Sequence, residues 1–342
     1  MNSKERVFGA LQGKPLDRPP FTAMLSLYGA RLTRCPLKEY YTHAAAYAAG
    51  QTAVLETFHP DILFSPFSLV ALTEAFGGQV KYFDNQPPNL LRPAIASAED
   101  IPDLDLPDID THPRLIYVRE GLRQVAQSHG KKTVITGILL SPVDLPLLIM
   151  GIEGWLETVL FDEVGKKKML DITIPFFIQY ANALLNDGAD ALALPAAFLT
   201  PAVSNREIIT EFAIPVLKEV FAEIKGPIIL HHVGSPFLKF LDLFKGLPNV
   251  TAYALDHKDN LLLARETVDP GLTLLAGPDG PNIGKGTPRE IENQCMTFLK
   301  DRKDDPHFIL STSGGDVGFN TPPDNIHAMR NAVAAFETQR SN

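Results

Sequence analysis

Eight short apolar runs, most of them separated by stretches with helical periodicity, constrain what this chain can fold into. They are Phe21–Leu25, Asp61–Ser65, Thr133–Leu140, Ala191–Pro195, Ile228–Val233, Thr251–Leu255, Thr273–Ala276 and Phe308–Ser311. Apolar runs of this length without strict alternation read as strands covered on both faces. Segments such as 207–224 and Pro288–Asp301 place apolar residues at helical spacing between them. Strands that alternate with helices make a parallel sheet with the helices outside. Eight such units fit an α/β fold of the (β/α)8, or TIM barrel, kind, preceded by an N-terminal extension and occupying residues 1–342 as one domain. An open dinucleotide-binding sheet loses its main support, because no Gly-x-Gly-x-x-Gly follows the first run.

Polar and conformationally special residues collect just after these runs. Tyr28 follows the first, Ser65-Pro66 ends the second, and Ser141 and Asp144 follow the third. Asp256-His257 ends the sixth, Asp279 follows the seventh, and Ser313 and Asp316 follow the eighth. Barrel active sites lie at the C-terminal ends of the strands, so these residues should share one mouth. The fifth run is the richest: Pro227-Ile-Ile-Leu ends in His231-His232-Val233-Gly234. Imidazole titrates near neutrality and is the commonest metal ligand. An unpaired buried polar group costs roughly 1–3 kcal/mol, so two imidazoles at a strand end point to a site. Side chains alternate along a strand, so a regular strand turns only one of the two toward the barrel. The other would then be a satisfied structural histidine.

Composition narrows the function classes. The net charge is −9 with no basic cluster, which argues against nucleic acid. No apolar run reaches the ~18 residues of a membrane span. The opening MNSKERVFGALQGK lacks the apolar core of a secretory signal. Two cysteines, Cys35 and Cys295, give no disulfide framework and suit a reducing cytoplasm. Residues 78–130 hold Pro-rich acidic stretches (DNQPPNLLRP and DIPDLDLPDIDTHP) and read as a surface excursion before the third strand. Residues 277–287, GPDGPNIGKGT, do not match the phosphate-loop pattern and read as a flexible loop at the mouth.

Several segments carry a family resemblance in order along the chain: KERVFGALQGKPLDRPPF (4–21), DILFSPFSLVALTEAFGG (61–78), NDGADALAL (186–194), TEFAIPVLKEV (210–220), ILHHVG (229–234) and GTPREIE (286–292). Together they resemble the uroporphyrinogen decarboxylase superfamily. The resemblance implies a distorted (β/α)8 barrel with one of two chemistries. Decarboxylation of a tetrapyrrole implies arginines after the first strand and an Asp after the Phe-Ser of the second. Here the first segment reads Met24-Leu-Ser-Leu-Tyr28, and Pro66 stands at the Asp position with neither donor nor charge.

The other branch implies cobamide-dependent methyl transfer between a small molecule and the cobalt of a corrinoid protein. Many of its members hold zinc with His-x-Cys after the fifth strand and a Cys after the eighth. Here Val233 replaces the first Cys, and Ser313-Gly314-Gly315-Asp316 lacks the second. What remains is a nitrogen-and-oxygen set: His231, His232, Glu211, Asp256, His257 and Asp316. Glu211 and His232 fit the later part of a Glu-Glu-His zinc motif of some relatives, while the earlier Glu is missing.

The resemblance thus implies a methyltransferase moving methyl from a small methylated substrate, a methoxylated aromatic for example, to a corrinoid. The chain has no Asp-x-His-x-x-Gly corrinoid motif, so the corrinoid would arrive on a partner protein. His231, His232, Asp256 and Tyr28 are the expected catalytic residues. Asp316, Ser313 and Asp279 are expected to meet the corrinoid, and His232, His231 and Glu211 to bind zinc. Two other readings stay open, a decarboxylase and a barrel that binds without chemistry. The oligomeric state stays open as well, a homodimer included.

Overall fold

The computed structural model describes residues 1–341. Seven strands form one parallel sheet: β1 (Ile62–Phe64), β4 (Val134–Ile138), β5 (Ala191–Pro195), β6 (Ile228–His231), β7 (Val250–Ala254), β8 (Thr273–Ala276) and β9 (Phe308–Leu310), hydrogen-bonded in that order. Two further strands, β2 (Gln79–Lys81) and β3 (Asn89–Arg92), make a separate antiparallel hairpin. Seven of the eight expected runs therefore hold strands, each within about a residue or two of its expected bounds.

The eighth, Phe21–Leu25, is not a strand. It makes a single bridge, Phe21 to Leu310. Its Phe21 N–H goes to Asp61 Oδ2 at 2.8 Å and its Met24 N–H to Thr312 Oγ1 at 3.0 Å, so neither donor serves a ladder. It nevertheless fills the eighth position. The Leu310 N–H donates to the Pro20 carbonyl at 3.0 Å, and the Thr22 N–H to the Leu310 carbonyl at 2.9 Å. On its other side the Asp61 N–H donates to the Phe21 carbonyl at 2.7 Å. The segment thus joins β9 to β1.

The N-terminal extension closes the bottom. Its helix, Ser3–Leu11, starts in a capping box of Asn2 and Glu5. Val7 and Ala10 pack with Ile62, Val134, Ala252 and Ile309 in the barrel interior. A second, larger apolar core lies between the sheet and the helices.

The surface-excursion reading of 78–130 is correct only in its first part. Pro113–His129 is a helix that buries Leu115, Tyr117, Leu122 and Val125 in the outer core. Its outward arginines and glutamate (Arg114, Arg119, Glu120, Arg123) masked that apolar stripe in the sequence. The expected helix over 207–224 forms as Arg206–Ile208 and Ile214–Ala222, joined by a π-helical turn at Ile209–Ala213. Pro215 has no N–H for the residue four before it, which favours such a break in register.

A buried carboxylate holds the closure together. Asp61 is fully buried and accepts from Arg6 Nη1 at 2.7 Å, Arg18 Nη1 at 2.7 Å, Arg18 Nη2 at 3.0 Å and the Phe21 N–H at 2.8 Å. Arg6 also donates twice to Asp17 at 2.8 Å, and that pairing holds the Asp17 carboxyl well below the usual carboxylate range. Removing one member of a buried pair costs about 3–5 kcal/mol. Asp61→Ala should lose stability of that order in urea unfolding, and a loss under about 1 kcal/mol would contradict this role.

Candidate active site at the barrel mouth

Strand β6 ends at His231, and its burial alternates: Ile228 and Leu230 lie in the outer core, while Ile229 packs toward the barrel interior. His231 therefore continues the inward face, as strand parity requires. His232 escapes the alternation because the strand stops before it. The two rings stack with centroids 4.7 Å apart, His232 fully buried and His231 half-buried.

The turn that follows is left-handed at two successive residues, Val233 at φ 54° and Gly234 at φ 80°. A β-branched residue there is an outlier, costing of order 1–3 kcal/mol. The turn sends the Val233 N–H to His231 Nδ1 at 3.1 Å and brings the Gly234 N–H to 2.9 Å from His232 Nδ1. The Gly314 N–H donates to His232 Nε2 at 3.1 Å. Asp256 Oδ2 lies 3.3 Å from His232 Nδ1. Burial pushes both imidazoles down, His232 to about 4, so both are neutral at pH 7.

Asp256 is buried and links two histidines. Its Oδ1 accepts from the Lys258 N–H at 3.0 Å and lies 3.5 Å from His257 Nδ1. His257 is partly exposed. Its Nδ1 is 3.2 Å from Ser313 Oγ and its Nε2 is 3.9 Å from Asp279 Oδ2. A groove of about 610 Å³ opens beside His257, lined also by Asp279, Lys285, Glu290, Gln294 and Phe298. That size suits a small-molecule ligand. Lys285, Gln294 and Phe298 went unnoticed in the sequence. The 277–287 loop read there as flexible is an ordered 3-10 helix, Gly280–Lys285, leading into the capped helix Pro288–Asp301.

The remaining expected residues sort by burial. Ser313 is buried and pairs in backbone with Asp279, which brings both beside His257. Tyr28, expected among the catalytic residues, is fully buried, packs edge-on against Phe58 and donates to the Thr321 carbonyl at 2.7 Å. Glu211 is exposed on the π-helical turn. Among the described residues no three His, Cys, Asp or Glu side chains come close enough to hold a metal ion. The donor chemistry agrees, since both nitrogens of His232 face backbone N–H groups and His231 Nδ1 is taken by Val233. The expected zinc set of His232, His231 and Glu211 is therefore not assembled.

Asp316 lies beneath the closing segment, nine-tenths buried. Its Oδ1 accepts from the Leu27 N–H at 2.9 Å, and its Oδ2 has no partner among the described residues. Burial raises its carboxyl to about 7. Between the ordinary value of 3.8 and about 7 the folded chain keeps a proton that the unfolded chain releases. The stability from this group is thus complete below pH 3.8 and is lost as pH rises through about 7. Asp316→Asn should gain on the parent between pH 4 and pH 8, by at most about 4 kcal/mol at ~1.4 kcal/mol per unit. Urea unfolding of both proteins at the two pH values measures this, and a stability difference that does not change with pH would contradict it.

Comparison with known proteins covers nearly the whole chain. The family model for uroporphyrinogen decarboxylase (URO-D) matches residues 2–336. The methylcobamide:CoM methyltransferase MtbA of Methanosarcina mazei is 23% identical over 336 residues, 95% of this chain and 96% of the relative. MtaA of Methanosarcina barkeri, of the same description, is 25% identical over 241 residues, 68% of this chain and 69% of the relative. Among solved structures, a methyltransferase from Methanosarcina mazei superposes with a TM-score of 0.86 at 19% identity, covering 98% of this chain and 99% of that one. A putative vitamin-B12 independent methionine synthase from Listeria monocytogenes shares the fold more loosely, at TM-score 0.54 and 15% identity over 89% of this chain and 87% of that one.

Proposed function

This chain belongs to the uroporphyrinogen decarboxylase family, and from that premise we propose that it is a cobamide-dependent methyltransferase, moving methyl from a small methylated molecule to the cobalt of a corrinoid carried by a separate protein. The observation that carries cobamide methyl transfer is the match to a methylcobamide:CoM methyltransferase over 95% of the chain; the direction toward cobalt rests instead on Val233 and Ser313–Asp316, where the chain lacks cysteines to hold a thiol-activating zinc. Pro66 at the position of the decarboxylase Asp supports it further.

The chemistry asked of the protein is modest. Attack of cobalt(I) on the methyl carbon forms the Co–C bond with the cobalt electron pair. The C–O or C–N pair stays with the leaving atom, which must take up a proton or hydrogen bond to depart. His257 is suited to that task. It borders the groove, and its Nδ1 is engaged by Ser313 Oγ at 3.2 Å with Asp256 Oδ1 nearby at 3.5 Å, leaving Nε2 as the end that exchanges a proton with a ligand. Asp256 in turn is steadied by His232 and by the Lys258 N–H. The methyl donor would sit in the groove, with Phe298 as an apolar wall. A methoxylated aromatic fits such a lining.

The assay mixes the purified protein with cob(I)alamin and methoxylated aromatics and follows methylcobalamin by its visible spectrum. The expected result is methylcobalamin with a stoichiometric phenol product. His257→Gln should lower kcat about 100-fold with a much smaller change in KM. No methyl transfer from any methoxy or methylamino compound, to free cobalamin or to a corrinoid protein, would overturn the reading.

A further inference from the structure

Phe161, at the end of the helix Ile152–Phe161, is the most exposed large apolar side chain among the described residues, at 81%. Leu160 before it and Val164, three residues on, are exposed as well. Exposed apolar side chains grouped in this way mark interaction sites. Phe161 also lines a groove of about 420 Å³. Gly154, Glu157, Thr158 and Phe161 stand at i, i+3, i+4 and i+7, so one face of the helix forms one wall. Residues 96–99 form the other. The walls come close because position 154 is glycine: a Cβ there would lie 2.9 Å from the Ala96 carbonyl oxygen. Three carboxylates, Glu99, Glu157 and Asp162, line this groove, and no cation does. Asp162 caps the next helix by accepting from the Gly165 N–H at 2.9 Å. Glu99 and Glu157 have no ion-pair or hydrogen-bond partner among the described residues.

We propose that this groove and the Phe161 corner are the docking surface for a basic segment of a partner protein, which sets an arginine or lysine over the Phe161 ring and between Glu99 and Glu157. Charge selects that occupant. A cation is attracted both by the face of an exposed ring and by the two unpaired carboxylates, and a guanidinium pairs with carboxylates through two hydrogen bonds. A purely apolar segment would strip water from those carboxylates with nothing to replace it. A second copy of this chain, docked through the same face about a two-fold axis, would set the same carboxylates against each other. The net charge of −9 steers a basic partner toward the chain over longer range. The place of the surface follows from the fold. The helix Glu163–Asn186 has 24 residues, so it is about 36 Å long, and it runs down to the start of β5. Its first turn and the Phe161 corner therefore stand at the end of the barrel where the strands finish, the end that carries His231 and His257. The docking does not depend on the proposed methyl transfer.

The probe is a fluorescein-labelled amphipathic peptide of leucine and arginine, titrated against the full-length protein by fluorescence anisotropy. The expected result is saturable binding of one peptide per chain that weakens with salt, and no binding of the same peptide with glutamate in place of arginine. Phe161→Ala and Glu157→Gln should each raise the Kd about three- to fivefold. Both side chains are exposed, so both variants should keep the melting temperature of the parent. Glu219→Gln removes the same charge from an exposed position on the helix Ile214–Ala222 and should leave the Kd unchanged. Absence of binding by the arginine peptide would overturn the proposal. So would a Kd that Phe161→Ala leaves unchanged, or one that Glu219→Gln raises as much as Glu157→Gln does, since either reduces the binding to bulk charge. Analytical ultracentrifugation supplies the last arm: a dimer that Phe161→Ala converts to monomer would give the surface to a second copy and overturn the proposal, whereas the same sedimentation for parent and variant supports it.

Discussion

The structure depends on one buried carboxylate. A barrel built from seven strands and an irregular eighth segment is open at that segment unless something other than a ladder closes it. Asp61 does so. Its two oxygens offer about four acceptor directions, and Arg6, the two ends of the Arg18 fork and the Phe21 N–H fill them. One side chain thereby ties the N-terminal helix, the Pro19-Pro20 entry, the closing segment and the start of β1. The consequence reaches the other end of the barrel. The closing segment continues upward, where the Met24 N–H donates to Thr312 Oγ1 at 3.0 Å, the Val317 N–H to the Met24 carbonyl at 2.8 Å and the Leu27 N–H to Asp316. The loop so fixed is the one whose Gly314 N–H meets His232.

At the mouth, electrostatics favour proton chemistry over thiolate chemistry. The two cysteines lie elsewhere, Cys295 buried in the helix Pro288–Asp301 and Cys35 near the N-terminus, and burial raises both thiols above their ordinary value. The imidazoles at the end of β6 are neutral and already bonded, and the carboxylates around them face histidines and backbone N–H groups. A zinc site needs lone pairs aimed at one point. Here both ring nitrogens of His232 face backbone N–H groups instead. The shared Asp256 couples His232 to His257, the histidine that borders open space.

Much of the fold was legible in the sequence because buried parallel strands read as continuous apolar runs. Ala191–Pro195 and Thr273–Ala276 stand where the apolar runs put them. Phe21–Leu25 carries the same mark and is still not a strand, because the Phe21 and Met24 N–H groups go to the Asp61 and Thr312 side chains rather than to a ladder. The helix Pro113–His129 was hidden by its many charged residues and by the Pro-rich stretch before it. For the site, the mouth residues were readable one strand end at a time. Their pairings were not, since hydrogen bonds such as Gly314 to His232 join residues 82 apart in the chain. Tyr28 and Glu211 show the limit of the sequence reading. A strand-end position says which residues lie near the mouth, but burial decides which of them a substrate can reach. His257 gave the weaker signal, as a histidine in a plausible surface turn, and is the one that lines the groove.

In the proposed methyl transfer a proton rather than zinc activates the leaving atom. The most direct measurement is methyl transfer to cob(I)alamin by protein purified and assayed with a strong zinc chelator, with zinc content determined on the same sample. The expected result is zinc far below one equivalent per chain and a transfer rate that the chelator leaves unchanged. One tightly held equivalent of zinc, whose removal abolishes transfer and whose return restores it, would contradict it.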